Sequence, residues 1–266
     1  MEQRIREICR VMMDAEREAA KLMLQAHEVP AETKTDRRNV VTEFDRRVQA
    51  LLVQRLREAA PGARFYCEEQ DEHDDLYAEE LFVIDPLDGT MNFVHGFHHS
   101  CLSVAYARRG ELCAGAIYNP YVDEMFHAVR GEGAFLNGRA IRVSREALRD
   151  SIVCYGTAPY DMRLADESFS LARIAFEASL DLRREGAAAL DLCSVAAGRA
   201  GLYFEMRVSP WDYAAGLLIV QEAGGDCRRL DGRPLVLEPG RDSIAVGAPG
   251  ALAEFLSLVK SRRAST

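Results

Sequence analysis

One short block constrains this chain more than any other. An apolar, partly β-branched run at residues 81–84 predicts a buried strand, and the sequence Asp-Pro-Leu-Asp-Gly-Thr follows directly at residues 85–90. Because Pro86 and Gly89 favour a turn, we expect Asp85 and Asp88 to emerge together at the strand's end, where ligand crevices of open α/β sheets lie. Two carboxylates held this close repel each other unless positive charge lies between them, and hard divalent cations take oxygen ligands. The block therefore indicates a metal site.

Composition excludes several broad classes of protein. With 33 basic and 42 acidic side chains, the formal net charge of −9 argues against a general nucleic-acid or membrane-surface binder. The seven cysteines are scattered and form no Cys-x-x-Cys pair, which is typical of reduced thiols in a cytoplasm. The N-terminus lacks the apolar core of a signal peptide, and no apolar run is long enough to span a bilayer. We expect a soluble, cytoplasmic protein.

The first half of the chain, about residues 1–150, combines helix and strand patterns. Apolar residues recur at three- and four-residue steps over 5–23 and over 44–56, which predicts two amphipathic helices. The polar stretch from about Glu28 to Asn39 is interpreted as a mobile loop. Asn137-Gly138 is a strong hairpin signal, and strands are predicted at 64–67, 81–84, 101–107, 111–118, 125–129 and within 133–143. These patterns favour a helical layer on a mixed, mostly antiparallel sheet.

The second half, residues 151–266, alternates strands and helices. Strands are predicted at 152–155, 180–183, 202–205 and 243–247, and helices at 166–177, 186–199, 213–223 and from 251 onward. A hairpin is predicted at Asp231-Gly232. No flexible linker separates the halves, so we expect a single domain over 1–266 with an interface between them.

Three further acids have a context like that of the central block. Glu68 follows a predicted strand, whereas Asp45 and Asp212 stand where helices begin. A lone acid at such a position is more often a surface charge or a helix cap. Together with Asp85 and Asp88, however, these residues make a set of five acids that we expect to converge.

Four blocks in this order resemble the inositol monophosphatase-like phosphatases, a magnesium-dependent and lithium-sensitive family. They are Val-Thr-Glu-Phe-Asp at 41–45, Glu68-Glu69, residues 85–93, and Trp211-Asp212 followed by 214–216 and 222–225. The resemblance covers nearly the whole chain. It implies a five-layer αβαβα fold with a smaller C-terminal sheet, a homodimer, and a small-molecule phosphate monoester as substrate.

The resemblance also implies roles for individual residues. The implied ligands of two to three Mg²⁺ ions, for which Mn²⁺ is a possible substitute, are Glu68, Asp85, Asp88, Asp212 and the backbone carbonyl of Leu87. The implied catalytic residues are Glu68 and the pair Asp45 and Thr90, which orients and activates water. The implied substrate contacts are Lys34 in the mobile loop, the phosphate-binding amides of Gly89 and Thr90, and Gly186, Ala188, Glu205 and Asp212.

The chemistry supports this assignment independently of the family. A phosphate monoester is doubly charged and resists attack by water, so catalysis needs positive charge near both the nucleophile and the leaving oxygen. Mg²⁺ ions supply that charge, and several carboxylates are needed to collect them. We therefore interpret the chain as a phosphomonoesterase in which water attacks in line. Its expected substrate is inositol-1-phosphate or a related small sugar or cyclitol monophosphate.

Two alternatives stay open at the level of sequence. A phosphatase of fructose-1,6-bisphosphate or of 3′-phosphoadenosine nucleotides needs basic residues for a second phosphate; Arg183, Arg184 and Arg199 are near in sequence, but Glu205 would repel that phosphate. The fold could instead serve as a regulatory or scaffolding partner of protein or RNA, because fold alone does not fix function. The suitable chemistry at every proposed catalytic position argues against this second alternative.

Several residues depart from the family pattern or suggest other sites. Cys67 replaces the usual glycine and would be strained at a positive φ. Phe44 replaces a small hydroxyl residue beside Asp45, and Ala187 replaces a serine or threonine. The histidines at 95, 98 and 99 lack a His-Glu-x-x-His frame, which favours packing or surface roles over zinc binding.

Overall fold

A computed structural model describes residues 2–26, 29–70 and 72–264. Its helices are α1 (Glu2–Leu24), α2 (Glu43–Ala59), α3 (Thr90–Val94), α4 (Ala165–Ala178), α5 (Ala188–Ala196), α6 (Pro210–Glu222) and α7 (Pro249–Ala264). Its strands are β1 (Ala31–Asp36), β2 (Asn39–Thr42), β3 (Arg64–Cys67), β4 (Leu81–Asp88), β5 (Cys101–Arg108), β6 (Glu111–Asn119), β7 (Glu124–Val129), β8 (Ala134–Leu136), β9 (Arg139–Ile141), β10 (Ile152–Tyr155), β11 (Asp181–Arg183), β12 (Leu202–Val208), β13 (Asp226–Arg228) and β14 (Asp242–Gly247).

The larger sheet comes from the first half of the chain and has the strand order β3-β4-β5-β6-β7-β8-β9. β3 runs parallel to β4, and the other neighbouring pairs are antiparallel. The predicted mixed, mostly antiparallel sheet is therefore confirmed. The β8–β9 hairpin turns at Asn137-Gly138 as predicted, with φ values of 48° and 76°.

The smaller sheet comes from the second half and has the order β11-β10-β12-β14-β13. β10 lies parallel to both β11 and β12, because the intervening chain returns through helices. β14 lies antiparallel to β12 and β13.

Helices fill the layers around and between the sheets. α1 and α2 cover one face of the larger sheet, where Met12 shares a core with Phe82. α5 and α6 lie between the sheets and bury Leu192 and Leu217, while α4 and α7 cover the far face of the smaller sheet around Phe255. This arrangement confirms the expected five-layer αβαβα fold. In the described part of the chain, no helix has the length and apolar character that a membrane crossing needs.

The loop predicted between α1 and α2 is wrong over most of its length. Residues 31–42 form a hairpin in which β1 pairs antiparallel with β2, and Thr33 lies opposite Val40. The β-branched residues Thr33, Val40 and Val41 favour strands, a signal that the polar composition obscured. Lys34 is therefore carried by a strand. Glu28, at the start of the predicted loop, lies outside the described residues.

Two boundaries in the second half also differ from expectation. α5 occupies only part of the helix predicted over 186–199, because Gly186 and Gly198 adopt positive φ (84° and 71°) outside the right-handed helical region. Asp231-Gly232 forms a turn beside an isolated bridge and not a full hairpin.

The turn predicted directly after residue 84 is wrong, because β4 continues through Asp88. Asp85 lies opposite Ser103 of β5, whereas Asp88 lies opposite Cys101. The chain therefore advances three residues along β4 while it advances two along β5. This extra residue is a β-bulge. Residues three apart in a regular strand point to opposite faces, and the bulge breaks that alternation between the two acids.

Candidate active site

Two buried carboxylates of β4 form the base of the site. Asp85 is 2% exposed and Asp88 is 9% exposed. Asp85 Oδ1 accepts a hydrogen bond from the backbone N–H of Leu87 (3.0 Å), and Asp88 Oδ2 accepts one from the N–H of Ala189 (2.7 Å). Asp85 is thus fixed within the bulge, whereas Asp88 is fixed to the first turn of α5. Gly89 follows with φ 84°, and α3 begins at the next residue.

Asp45 and Asp212 are both held by helix capping boxes. Asp45 Oδ2 accepts hydrogen bonds from the N–H (2.7 Å) and the hydroxyl of Thr42, the N-cap of α2. Asp212 Oδ2 accepts one from the N–H of Ser209 (2.6 Å), the N-cap of α6. Both acids therefore stand at helix starts, as predicted. Thr42 supplies the support for Asp45 that Phe44 cannot give.

Thr90 connects Asp45 of α2 to β4. Its Oγ1 lies 3.2 Å from Asp45 Oδ1 and 3.1 Å from the carbonyl oxygen of Leu87. Burial raises the pKa of Asp45, and the hydrogen bonds from Thr42 offset only part of that rise. The structure thus brings Asp45, Thr90 and the Leu87 carbonyl together.

Lys34 reaches the site from β1. Its Nζ lies 2.8 Å from Glu68 Oε1 and also contacts Glu69 Oε1. Burial lowers the pKa of Lys34, but the attraction of the two glutamates is greater and raises it above its usual value. The pKa of Glu69 is raised to about 7, first by burial and then by the charge of Glu68. Lys34 therefore pairs with the acids that follow β3.

The remaining acids repel one another in a buried region. Burial raises the pKa of Asp85 and of Asp212 well above the usual range, and the charge of Glu68 adds to both shifts. Burial also raises the pKa of Asp88 to about 7, with Glu68 and Glu205 adding to the rise. A set of acids in this state is stabilised by bound positive charge.

The donor set suits a hard divalent cation such as Mg²⁺, because its atoms are carboxylate and carbonyl oxygens. Within residues 2–26, 29–70 and 72–264, however, no three His, Cys, Asp or Glu side chains are already arranged to hold a metal ion. Asp85, Asp88 and Asp212 each direct one oxygen to a backbone N–H, and Glu68 is paired with Lys34. The chemistry of the residues fits a metal, and side-chain rotation is needed to complete its coordination.

A cavity of about 170 Å³ opens beside these acids. The predicted site residues in its wall are Glu68, Asp88, Gly89, Thr90, Gly186, Ala188, Glu205 and Asp212. Four other predicted residues, all in the described part of the chain, lie outside the wall: Lys34, Asp45, Asp85 and Leu87. The structure thus places eight of the twelve predicted site residues around one cavity.

Glu205 lies on the wall formed by the smaller sheet. Its Oε1 accepts a hydrogen bond from the N–H of Ala158 (2.8 Å), and its Oε2 accepts one from the hydroxyl of Tyr203 (2.7 Å). Burial raises the pKa of Glu205, while these two donors and the charge of Arg184 lower it in part. Glu205 is therefore a half-buried acceptor with a protein donor at each oxygen.

Several residues in the cavity wall or in contact with Glu205 carry no prediction from the sequence: Gly156, Ala158, Asp191, Tyr203 and Arg207. Gly156, Asp191 and Arg207 line the cavity directly. Tyr203, Glu205 and Arg207 alternate along β12, so the two-residue period of a strand could have placed the three on one face. Gly156 and Ala158 carry no such local signal.

The arginines considered for a second phosphate have different surroundings. Arg184 lines the cavity. Arg183 pairs with Asp181, and Arg199 pairs with Glu124. Only one of the three therefore faces the proposed substrate space.

Two other expectations are resolved by local geometry. Cys67 lies in β3 without a positive φ, so its replacement of glycine introduces no strain. His99 Nε2 lies 3.1 Å from Glu185, and His98 stacks on Tyr121, which agrees with packing roles for these histidines.

Together the fold and the site define a class, the layered α/β proteins with an acidic cavity between two sheets. The sequence profile of the Inositol monophosphatase family matches residues 4–264. The chain belongs to this family, which confirms the resemblance found in the sequence.

Relatives within the family have different names. An inositol-1-monophosphatase of Mesorhizobium japonicum is 39% identical over 223 residues, or 83% of this chain and 82% of that protein. Nus factor SuhB of Pseudomonas aeruginosa is 38% identical over 238 residues, or 86% of this chain and 88% of that protein. The crystal structure of the extragenic suppressor protein suhB from Bartonella henselae matches with a TM-score of 0.87 and 32% identity, covering 94% of this chain and 97% of that one.

Proposed function

We propose that the protein is a Mg²⁺-dependent phosphomonoesterase of inositol-1-phosphate or a related small sugar or cyclitol monophosphate. The observation that carries this proposal is the set of mutually repelling acids Glu68, Asp85, Asp88 and Asp212. Three of them line one cavity, and the fourth, Asp85, is buried in the same strand as Asp88. Membership of the family and the likeness to a named inositol-1-monophosphatase support it.

The proposed metal ligands are Glu68, Asp85, Asp88, Asp212 and the carbonyl of Leu87. When bound, two to three Mg²⁺ ions, or Mn²⁺ in their place, supply charge that lowers the pKa of water and stabilises the leaving oxygen. The same carboxylates are the proposed site of lithium inhibition.

Asp45 and Thr90 are the proposed water-activating pair. The Thr90 hydroxyl has one proton and two acceptors within reach, Asp45 Oδ1 and the Leu87 carbonyl. Water can therefore donate to Thr90 Oγ1 while the threonine proton passes toward Asp45. Thr42 holds Asp45 in place during this transfer. Attack is direct and in line, without a covalent protein intermediate.

The rest of the substrate is proposed to lie between the two walls of the cavity. The amides of Gly89 and Thr90 bind the phosphate, and Lys34 adds positive charge from the β1–β2 hairpin. Gly186 and Ala188 form a surface for the ring, and Glu205 accepts hydrogen bonds from its hydroxyls. A bisphosphate is disfavoured, because Glu205 would face the second phosphate and repel it. Of the three arginines considered for that phosphate, Arg184 alone lines the cavity, and Arg207, which also lines it, is paired with Asp161.

The test is a phosphate-release screen across cyclitol, hexose and nucleotide monoesters and across the two bisphosphates, with Mg²⁺ and with EDTA. We expect Mg²⁺-dependent release, fastest from a cyclitol or hexose monophosphate. Preference for a bisphosphate would move the assignment to the alternative phosphatases, and absence of any release would reject the enzyme proposal.

A second candidate function is that of a regulatory or scaffolding partner. The observation in its favour is the 38% identity to a protein named Nus factor SuhB. A chromosomal Asp88→Asn variant separates the two functions. Survival of a cellular phenotype after complete loss of turnover would favour the partner role, and its loss would favour the enzyme.

We also propose that residues 1–266 form one catalytic domain, and that the protein is a cytoplasmic homodimer. Light scattering coupled to size-exclusion chromatography measures the mass. A 29.6 kDa species at micromolar concentration would contradict the dimer.

A further inference from the structure

The Glu205 carboxylate is held by donors at both of its oxygens. The Tyr203 hydroxyl reaches Oε2 from a side chain that is fully buried, and the Ala158 N–H reaches Oε1 from the loop after β10. Because neither donor is exposed, water does not compete freely for these bonds. The orientation of the carboxylate is therefore set by the protein before substrate arrives.

The loop after β10 is shaped around this carboxylate. A Cβ on Gly156 would lie 1.8 Å from Glu205 Oε2, a distance that no side chain could occupy. Gly156 also donates its N–H to the carbonyl of Phe204 in β12 (2.9 Å), which ties the loop to the strand that carries Glu205. Ala158, whose N–H donates to Oε1, adopts φ 41°, an uncommon value for alanine. A strained backbone conformation of this kind persists where the surrounding structure holds the residue in it.

Each oxygen of Glu205 accepts one protein donor and has further acceptor capacity. Glu205 lines the same cavity as Asp88 and Gly89, where the phosphate is proposed to lie. A substrate whose hydroxyls donate toward Glu205 uses this remaining capacity, whereas one without hydroxyls displaces water from the carboxylate and puts no donor in its place.

We propose that Tyr203 and Gly156 are positioning residues that make the site select polyol phosphates, by fixing Glu205 as an acceptor for substrate hydroxyls. The inference rests on the proposed phosphatase function and deepens it. Both residues hold Glu205 and not the acids proposed to bind the metal, so we expect both to act on recognition of the leaving group.

The experiment compares two ligands that share the phosphate subsite. The KM for inositol-1-phosphate includes the hydroxyl contacts, whereas the Ki for inorganic phosphate as a competitive inhibitor does not. For Tyr203→Phe we expect the KM to rise about tenfold while the Ki for phosphate changes less than twofold, because one hydrogen bond to a charged acceptor is lost. The kcat falls less than the KM rises, since this contact is made in the ground state too.

Tyr213→Phe is the matched control. Its hydroxyl is also on a buried tyrosine, but it donates to the carbonyl of Val236, away from Glu205. We expect this variant to leave both KM and Ki unchanged. Gly156→Ala is a second test, because its Cβ must displace the carboxylate, and we expect a larger rise in KM than for Tyr203→Phe.

The possible outcomes are distinct. A wild-type enzyme that releases no phosphate from any monoester rejects the proposed function itself. Suppose that the wild-type enzyme is active and that circular dichroism shows both variants, Tyr203→Phe and Gly156→Ala, to be folded. If both then keep the wild-type ratio of KM to Ki, the positioning role is overturned. If one variant does not fold, the other decides by the same ratio. If neither variant folds, Tyr203 and Gly156 are needed for folding, and the positioning proposal is rejected.

Discussion

The acids on the two walls of the cavity have different surroundings. On the larger sheet, Asp85 and Asp88 stand beside other acids whose charges raise their pKa beyond the effect of burial. On the smaller sheet, Glu205 is half-buried and receives hydrogen bonds from Tyr203 and Ala158 at its two oxygens. Asp85 and Asp88 each accept one backbone hydrogen bond as well, but neighbouring acids repel them, so the first wall gains from positive charge supplied from outside. On the second wall, protein donors hold both oxygens of Glu205. The difference separates a wall suited to cations from a wall suited to substrate hydroxyls.

The strongest test of the first wall is Asp88→Asn. If Asp88 is a metal ligand, the substitution removes charge stabilisation of several kcal/mol, and we expect Mg²⁺-dependent turnover to fall by about a thousandfold. Phosphate release at saturating substrate measures it. Asp181→Asn is the control, because Asp181 is exposed and pairs with Arg183. Retention of more than a tenth of the wild-type kcat would contradict the ligand role.

The second wall is tested by Glu205→Gln. The amide keeps the size of the side chain but removes the charge that accepts substrate hydroxyls, so we expect KM for inositol-1-phosphate to rise about ten- to a hundredfold. Added Mg²⁺ should not restore the wild-type KM. If the apparent affinity for Mg²⁺ falls and KM does not change, Glu205 belongs to the cation wall and the contrast fails.

The acids of the first wall should also make the stability of the protein depend on pH and on Mg²⁺. The pKa of Asp88 in the folded protein is about 7 against a usual 3.8, so its contribution to stability is complete below pH 3.8 and is lost as the pH rises to about 7. In EDTA we expect the Tm to fall by about 5 °C between pH 5 and pH 8, and saturating Mg²⁺ to abolish most of that fall. Differential scanning calorimetry measures both curves. Equal falls with and without Mg²⁺ would break the link between these acids and a cation.

Another buried acid, outside the cavity wall, sharpens the comparison. Glu16 of α1 is fully buried, without a well-formed hydrogen bond to either oxygen, and burial raises its pKa well above 4.5. Its stabilising contribution is therefore lost as the pH rises above 4.5. We expect Glu16→Gln to raise the Tm by about 2–4 °C at pH 8 and by less at pH 5. Glu7→Gln, on the exposed side of α1, is the control, and a pH-independent effect of Glu16→Gln would contradict this account.

Sequence patterns predicted the residues whose environment is local. Asp45 and Asp212 were placed correctly at helix starts because capping depends on neighbours three residues away. The place of Asp85 and Asp88 inside β4 was missed, since the bulge is defined by pairing with β5. Gly156 was missed for a similar reason: the side chain that excludes a Cβ there comes from β12. The roles proposed for these residues stay predictions.

The bulge in β4 has a consequence for protein engineering. Grafting the Asp-Pro-Leu-Asp motif onto a regular ladder would send the two acids to opposite surfaces of the host sheet. The host would also need a partner strand one residue shorter over that interval, as β5 is here. The transferable unit is therefore a pair of strands with mismatched spacing, and the four-letter motif alone is not enough.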